Sequence, residues 1–339
     1  MSIEVITKVD ADRWDDFLQR ASGANIFHTR HFLDSFRETE RYVPFTFFLI
    51  ERERIIAMIA SVQTKLMGDL LPRFSSRSVV YGGVLLADDL SHTYIQKHLT
   101  KLIDAYDGTL GSRTVYSEVR NVSDPTPMTL AMTHKGHRLV PHLNYLIDLT
   151  PGEEAVWEAV TAKRRRIIKR ASDKLTILQA STESHVDIFS DLVRQTYSRV
   201  RTPCFEPEIF REVWRRLSPH GHIRINLAEY EGRHVATVAV LVYKGRSYEW
   251  FAASNREGDR LDANSALLWD AIKWSANNGC SVFDFGGAGN PNKPYPVRDF
   301  KARFRGDLVN YGRFVKVYSP WRYGLSSAGY GVLRRILFR

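Results

Sequence analysis

Two stretches of the chain share one hydrophobic pattern. FLIERERIIAMIA (Phe48–Ala60) and LAEYEGRHVATVA (Leu227–Ala239) each place apolar residues on both sides of a short charged turn. That pattern predicts strand, tight turn, strand. At a constant offset of 179, Arg54 matches Arg233, Ala57 matches Ala236 and Ala60 matches Ala239, while Ile56 and Ile59 match Val235 and Val238. A second echo lies upstream, IFHTRHF (Ile26–Phe32) against CFEPEIF (Cys204–Phe210), at 178. A third lies downstream, TVYSEVRN (Thr114–Asn121) against SVFDFGGA (Ser281–Ala288), at 167. The shorter spacing places an insertion in the first copy, near Met67–Arg77. Three echoes in one order predict two copies of a unit that runs helix, helix, hairpin, third strand, helix, fourth strand. Chance recurrence of common strand patterns is the plainer alternative.

In the second copy the strands fall near His222–Tyr230, His234–Tyr243, Arg246–Ser254 and Ser281–Phe285. The intervening helix has Asp262 as its N-cap. Leu267, Ala271 and Trp274 follow at helical spacing, and Gly279 suits a left-handed C-cap. Mostly antiparallel strands with a late helix exclude a TIM barrel and a Rossmann fold. They fit an α/β (α+β) chain of two tandem GNAT-like acyltransferase domains with mixed, mainly antiparallel central sheets. The turn chemistry of Thr150-Pro151-Gly152, before a helix carrying Trp157 and Val160, sets the break near Asp148–Glu153. The predicted domains are 1–150 and 151–318, with a tail at 319–339.

Composition sharpens this picture. The chain has 339 residues, 44% hydrophobic and 25% charged, which excludes disordered and fibrous classes. Its apolar runs are too short to span a bilayer, which takes about 20 residues. The N-terminal MSIEVITKVDADRW carries acids and no apolar core, so no signal peptide is expected. Two cysteines, Cys204 and Cys280, exclude a disulfide framework and a four-thiolate zinc site, and a reduced, cytoplasmic setting is expected. The net charge of +10 concentrates in two segments without acids. Lys163–Arg170 (KRRRIIKR) carries six basic residues, and Ser319–Arg339 carries Arg322, Arg334, Arg335 and Arg339. Local patches on a balanced body point to a polyanionic partner such as RNA, a nucleotide phosphate or a lipid headgroup.

Four motifs carry candidate chemistry. In TAKRRRIIKRASDK (Thr161–Lys174), Ile167, Ile168 and Ala171 face inward, freeing Arg164, Arg165, Lys169 and Arg170 to face outward. Their mutual repulsion suggests an anionic ligand, against the alternative of a solvated face. In Val282–Phe314 a buried strand ends at Gly286-Gly287, where a ligand can approach the backbone closely. Arg298, Lys301 and Arg303 follow, and an ammonium there could stabilise the oxyanion of acyl transfer. Ser247–Asn264 is an aromatic strand, a loop flanked by Arg256 and Arg260, and a helix start carrying Asn264, a geometry that can hold phosphate. The loop reads R-E-G-D-R-L-D-A, a poor match to the R/Q-x-x-G-x-G/A of acetyl-CoA enzymes. Leu325–Phe338 forms a basic amphipathic stripe that could rest on an anionic membrane or pack on the body. Asp284-Phe285-Gly286 lacks a kinase's other motifs, and Gly286–Gly289 is not a dinucleotide fingerprint. The histidine pairs lack metal-ligand spacing and read as packing or surface residues.

Four of these elements together resemble the Fem family of peptidyl and aminoacyl transferases of peptidoglycan cross-bridge synthesis. They are the KRRRIIKRASDK helix, Arg199–Pro203, the Asp284–Gly287 strand end, and Phe300-Lys301-Ala302-Arg303-Phe304 before Gly306. Trp14, Ile26–Thr29 and Glu118-Val119-Arg120 add weaker support from the first half. The resemblance implies two GNAT-like domains and transfer of an acyl or aminoacyl group to an amine. It also implies a role for Lys301 near the acyl ester. The long helical hairpin that some members insert in the second domain, related to tRNA handling, is missing here.

The expectation is therefore an acyltransferase acting on a phosphate-bearing or lipid-linked amine acceptor. Lys301 would stabilise the intermediate. Asp284, or its repeat counterpart Glu118, would accept the amine proton. Arg298, Arg201, Lys163, Arg164, Arg166, Arg170, Tyr248, Trp250 and Asn264 would bind substrate. No metal or tightly bound cofactor is expected. The co-substrate is aminoacyl-tRNA or acyl-CoA, the latter making an N-acetyltransferase. The partners would be tRNA and an anionic membrane surface at the tail, with the chain peripheral to the inner face. The alternative of another class is a non-catalytic RNA- or membrane-binding protein on a transferase scaffold.

Overall fold

The computed structural model describes residues 3–39, 41–65, 76–200, 202 and 204–325. The first half runs β1 (Ile3–Ile6), α1 (Ala11–Arg20), α2 (Arg30–Asp34), β2 (Tyr42–Glu51), β3 (Arg54–Lys65), β4 (Ser76–Val80), β5 (Val84–Leu86), α3 (His92–Leu110), β6 (Tyr116–Arg120), α4 (Thr126–His134) and β7 (Arg138–Val140). The second runs β8 (Leu143–Asp148), α5 (Glu153–Ala159), α6 (Ala162–Ser172), β9 (Thr176–Gln179), α7 (Glu183–Arg199), α8 (Pro207–Leu217), β10 (Ile223–Tyr230), β11 (Arg233–Tyr243), β12 (Arg246–Ser254), α9 (Arg256–Arg260), α10 (Ala263–Asn277), β13 (Val282–Gly289), α11 (Pro296–Ala302) and β14 (Asp307–Asn310). A last strand, β15 (Arg313–Val317), follows.

These elements form two units, each around its own sheet. The sheet orders are β1-β2-β3-β4-β6-β15-β7, with β5 also on β3, and β14-β8-β13-β12-β11-β10-β9. Within the first, β4 and β6 run parallel; within the second, β12 and β13 do; the other pairs are antiparallel. This is the expected mixed, mainly antiparallel architecture in duplicate. One core packs α3 and α4 on the first sheet, the other packs α6 and α10 on the second.

The hairpin repeat holds at the level of backbone geometry. β2 and β3 shift register between Leu49 and Ile50, and β10 and β11 shift between Ala228 and Glu229, the positions related by the same offset. The turns match as well. Arg52 and Glu53 have φ of 46° and 65°, and Glu231 and Gly232 have 50° and 74°. Two successive left-handed residues match the twist of the flanking strands.

The division between the units differs from the expected 1–150 and 151–318. The first comprises 1–141 with 311–339, and the second 142–310. Two strands explain the change. In β8, Leu143, Tyr145 and Ile147 are buried in the second core, so the break precedes this strand rather than following it. In β15, Phe314 is fully buried in the first core while the strand pairs with β6 and β7. Burying a phenylalanine contributes roughly 1.5–3 kcal/mol. Of the tail, residues 320–325 are helical, with Trp321 and Leu325 exposed. The rest of the predicted amphipathic stripe lies outside the described residues, as does most of the insertion predicted at Met67–Arg77. Among the described residues no helix is long and apolar enough to cross a membrane.

Candidate active site

In the second unit β12 and β13 pair only over Arg246–Tyr248 and Val282–Asp284. Beyond that point β12 follows β11 through a bulge between Ala239 and Val240, and β13 turns onto β8 with an irregular register. The two strands therefore part, and the peptide groups of Phe285–Gly287 no longer pair with β12. Gly286 sits at φ 65°, a conformation that glycine adopts without a Cβ penalty. At Gly287 a Cβ would lie 2.7 Å from His142 Nε2.

Lys301 enters this opening from α11. It is 6% exposed, and its Nζ donates to the carbonyl oxygens of Phe285 and of Gly287, the latter at 3.3 Å. A buried ammonium needs such partners, because desolvating it unpaired costs several kcal/mol. Glu249 Oε2 lies 3.5 Å away, on the residue where β12 leaves β13. Asp284, 1% exposed, accepts from Gly286 N at 2.7 Å and Asn144 Nδ2 at 3.3 Å. Burial raises the carboxyls of both Glu249 and Asp284 above the ordinary range; Lys301 opposes the first, and the Gly286 amide the second. Tyr248 stands beside Asp284 on the neighbouring strand, its phenol also raised by burial. One ammonium and two carboxyls thus gather, largely buried, where the strands part.

The position of Lys301 is set by α6. Arg164 was expected to face outward, but it is 2% exposed. Its guanidinium lies 4.5 Å from the Phe300 ring centre and 5.4 Å from that of Phe304, and it bonds Ser265 Oγ. The two rings flank Lys301 in the chain, so this cation–π clamp fixes the end of α11. Periodicity alone put Arg164 on the wrong face, because the pairing of its charge with buried aromatic faces is a tertiary contact. Of the other residues expected to face outward, Lys169 and Arg170 are exposed and Arg165 is half-buried; Lys163 and Arg166 are exposed too, and Arg170 pairs with Asp262 at 3.1 Å.

The remaining expected residues scatter. Arg298 donates to the carbonyl oxygens of Asn290, Pro291 and Lys293, bracing the loop before α11. Trp250 joins an aromatic cluster with Phe205, Phe210 and Phe251. Asn264 Nδ2 bonds Ser254 Oγ at 2.8 Å. Arg201 lies outside the described residues. The loop after β12 is not an open phosphate cradle. The N–H groups of Glu257 and Gly258 already donate to Asn255 Oδ1, at 3.0 and 2.9 Å. A groove of about 920 Å³ lies beside this loop, with Arg194, Arg199 and Arg256 on its walls together with Asp191 and Glu257. Asp262 sits at the start of α10 with φ 56° and makes no side-chain cap, so it marks the helix start without the expected cap chemistry.

Glu118 is Asp284's counterpart in the first unit. The register chain Val62–Val79–Glu118 repeats as Leu241–Tyr248–Asp284. Its surroundings differ. Burial would raise its carboxyl, but Arg120, Arg313 and Arg77 outweigh that and hold it at about 2. A carboxylate held so low is a poor base, which argues against the expected proton-accepting role. The residue that sequence reasoning missed is Glu249. Its signal is available: it is the one acid in the aromatic-rich strand RSYEWFAAS.

Comparison with known proteins agrees with this fold. Residues 162–301 match the family model of the acetyltransferase (GNAT) domain. FemX, in its crystal structure, is similar over 95% of this chain and 99% of its own, with a TM-score of 0.71 at 12% identity. A tandem GNAT protein from the clavulanic acid biosynthesis pathway is similar over 94% and 99%, with a TM-score of 0.57 at 11% identity. L-PGS from Bacillus licheniformis is similar over 97% and 98%, with a TM-score of 0.57 at 15% identity. No curated protein matches the chain. The class defined is a two-unit protein of the GNAT acyltransferase fold, with a Fem-like architecture. The domain match over 162–301 marks the second unit as a transferase domain, and that match ends on Lys301.

Proposed function

We propose that the chain transfers an acyl or aminoacyl group to an amine at the parted ends of β12 and β13. The observation that carries this reading is the buried Lys301 ammonium, fixed by two backbone carbonyls and facing Glu249 at 3.5 Å. In the reaction the amine nitrogen attacks the acyl carbonyl carbon. The Lys301 ammonium stabilises the oxyanion that develops there. Glu249 takes the proton that the amine must lose; burial raises its carboxyl above the ordinary range, which makes it a stronger base. The new C–N bond forms, the bond to the donor's leaving group breaks, and the leaving group departs with the proton that Glu249 took from the amine, which returns the carboxylate. Asp284, bonded to Gly286 and Asn144, holds the backbone of the opening in shape.

Exposed Lys163 and Arg166 favour a phosphate-bearing substrate, lipid-linked or free. A lipid-linked acceptor would place the chain at the inner face of a membrane, with the basic tail as its contact. Between donors, the occupied amides of Glu257 and Gly258 favour an aminoacyl ester such as aminoacyl-tRNA over acyl-CoA. The wild-type protein incubated with a panel of aminoacyl-tRNAs and acyl-CoAs, with product read by mass spectrometry, tests this. The expected result is an aminoacylated amine product; turnover only with acyl-CoA, or CoA copurifying in native mass spectra, would assign the other donor.

A further inference from the structure

The first unit carries an arrangement that the transferase reading does not use. Tyr116, Glu118 and Arg120 alternate along one face of β6, opposite the buried Ser117 and Val119. Arg77 pairs with Tyr116 on β4, and Arg313 stands directly across from Arg120 on β15. Residues so paired share a face, and like charges facing each other are destabilising. Three guanidiniums therefore gather around one carboxylate. Arg120 Nε and Arg313 Nη1 bond the same oxygen, Glu118 Oε1, at 2.5 and 2.8 Å. Arg77 has a weaker environment: Nη1 is 3.5 Å from the Tyr116 hydroxyl, and its buried Nε has no hydrogen-bond partner. The Arg120 guanidinium lies over the Tyr81 ring at 5.2 Å. The side chains of Arg120 and Arg313 keep 31% and 26% of their surface exposed, so solvent reaches the cluster. Burial and the neighbouring Arg120 pull the Arg313 guanidinium down to about 10, the mark of cations held together.

We infer that Arg77, Arg120 and Arg313 form a binding site for a phosphate-type oxyanion in the first unit, with Glu118 as its built-in competitor and Tyr81 as its wall. Planar guanidinium forks match phosphate oxygens in pairs, which lysines do not. The donor left unsatisfied at Arg77 is the one an anion would engage. The ligand is a free phosphate or diphosphate, or that group on a larger substrate. This inference rests on the first unit alone and does not depend on the chemistry proposed at Lys301.

Arginine protection on the wild-type chain tests it. Phenylglyoxal modification mapped by mass spectrometry should be suppressed at Arg77, Arg120 and Arg313 by inorganic pyrophosphate, and much less by malonate. Titration calorimetry then separates site from surface. Arg77→Gln should weaken pyrophosphate about ten-fold or more, while Glu118→Gln, which removes the competitor, should tighten it. Protection confined to Lys163–Arg170 or the groove at Arg256, or no protection, would overturn the site. So would a folded Glu118→Gln whose affinity is unchanged or lower.

Discussion

Glu118 and Asp284 occupy equivalent register positions in the two units, yet their surroundings are opposite. Around Glu118 stand Arg77, Arg120 and Arg313, which hold its carboxyl at about 2. Around Asp284 stand a backbone amide, Arg246, Asn144 and one buried lysine shared with Glu249, yet burial outweighs them and raises both carboxyls. One strand end is therefore a cationic cluster with its acid fully ionised. The other is a largely buried cluster in which desolvation raises the carboxyls instead. The same strand arrangement occurs twice, and different residues at a few strand positions give each unit its own electrostatic character.

Breaking the second unit's site should give the largest effect. Glu249→Gln is expected to lower kcat by about 10²- to 10⁴-fold, the range of a lost general base. Wild-type activity should rise with pH through the raised Glu249 titration, because only the ionised carboxylate accepts the proton; that limb should vanish in the variant. Retention of the limb in Glu249→Gln would move the base elsewhere.

Glu118→Gln sharpens the other side of the comparison through stability. A carboxyl lowered from its ordinary 4.5 to about 2 contributes about 3 kcal/mol of folded-state stability. Because the folded value is depressed, that contribution is present above pH 4.5 and is lost as pH falls toward 2. Urea melts across pH 2–7 should show the acid-side loss in wild type and a flatter profile in Glu118→Gln.

Arg164→Met tests whether the clamp positions Lys301. Losing the cation over Phe300 and Phe304 should cut kcat several-fold with little change in KM, and Arg164→Lys should recover part of it. An equal fall in stability with kcat intact would make the clamp purely structural. Arg170→Ala should change least, within about 1 kcal/mol in stability, since its pair with Asp262 is exposed.

The duplicated fold was legible because a hairpin's register and turn are local. The offset of 179 carried through to the bulge at Leu49/Ile50 and to the left-handed pairs at 52–53 and 231–232. The unit boundary was less legible, since β8 and β15 join sheets by long-range pairing that turn residues do not encode. Lys301 and Asp284 were singled out from a strand end with glycines and a following cation, and they do lie together at that strand end. Glu249 was missed because its importance comes from facing Lys301 across 52 residues of chain. Arg164 was misplaced for the same reason: its partners Phe300, Phe304 and Ser265 lie far along the sequence.

Single-turnover acyl transfer by Lys301→Ala, beside wild type and with folding checked by thermal melting, bears most directly on the central claim. A folded variant should form the amide at least about 10²-fold more slowly, the scale of a lost oxyanion partner. A folded Lys301→Ala that transfers at the wild-type rate would remove the chemistry from the parted ends of β12 and β13.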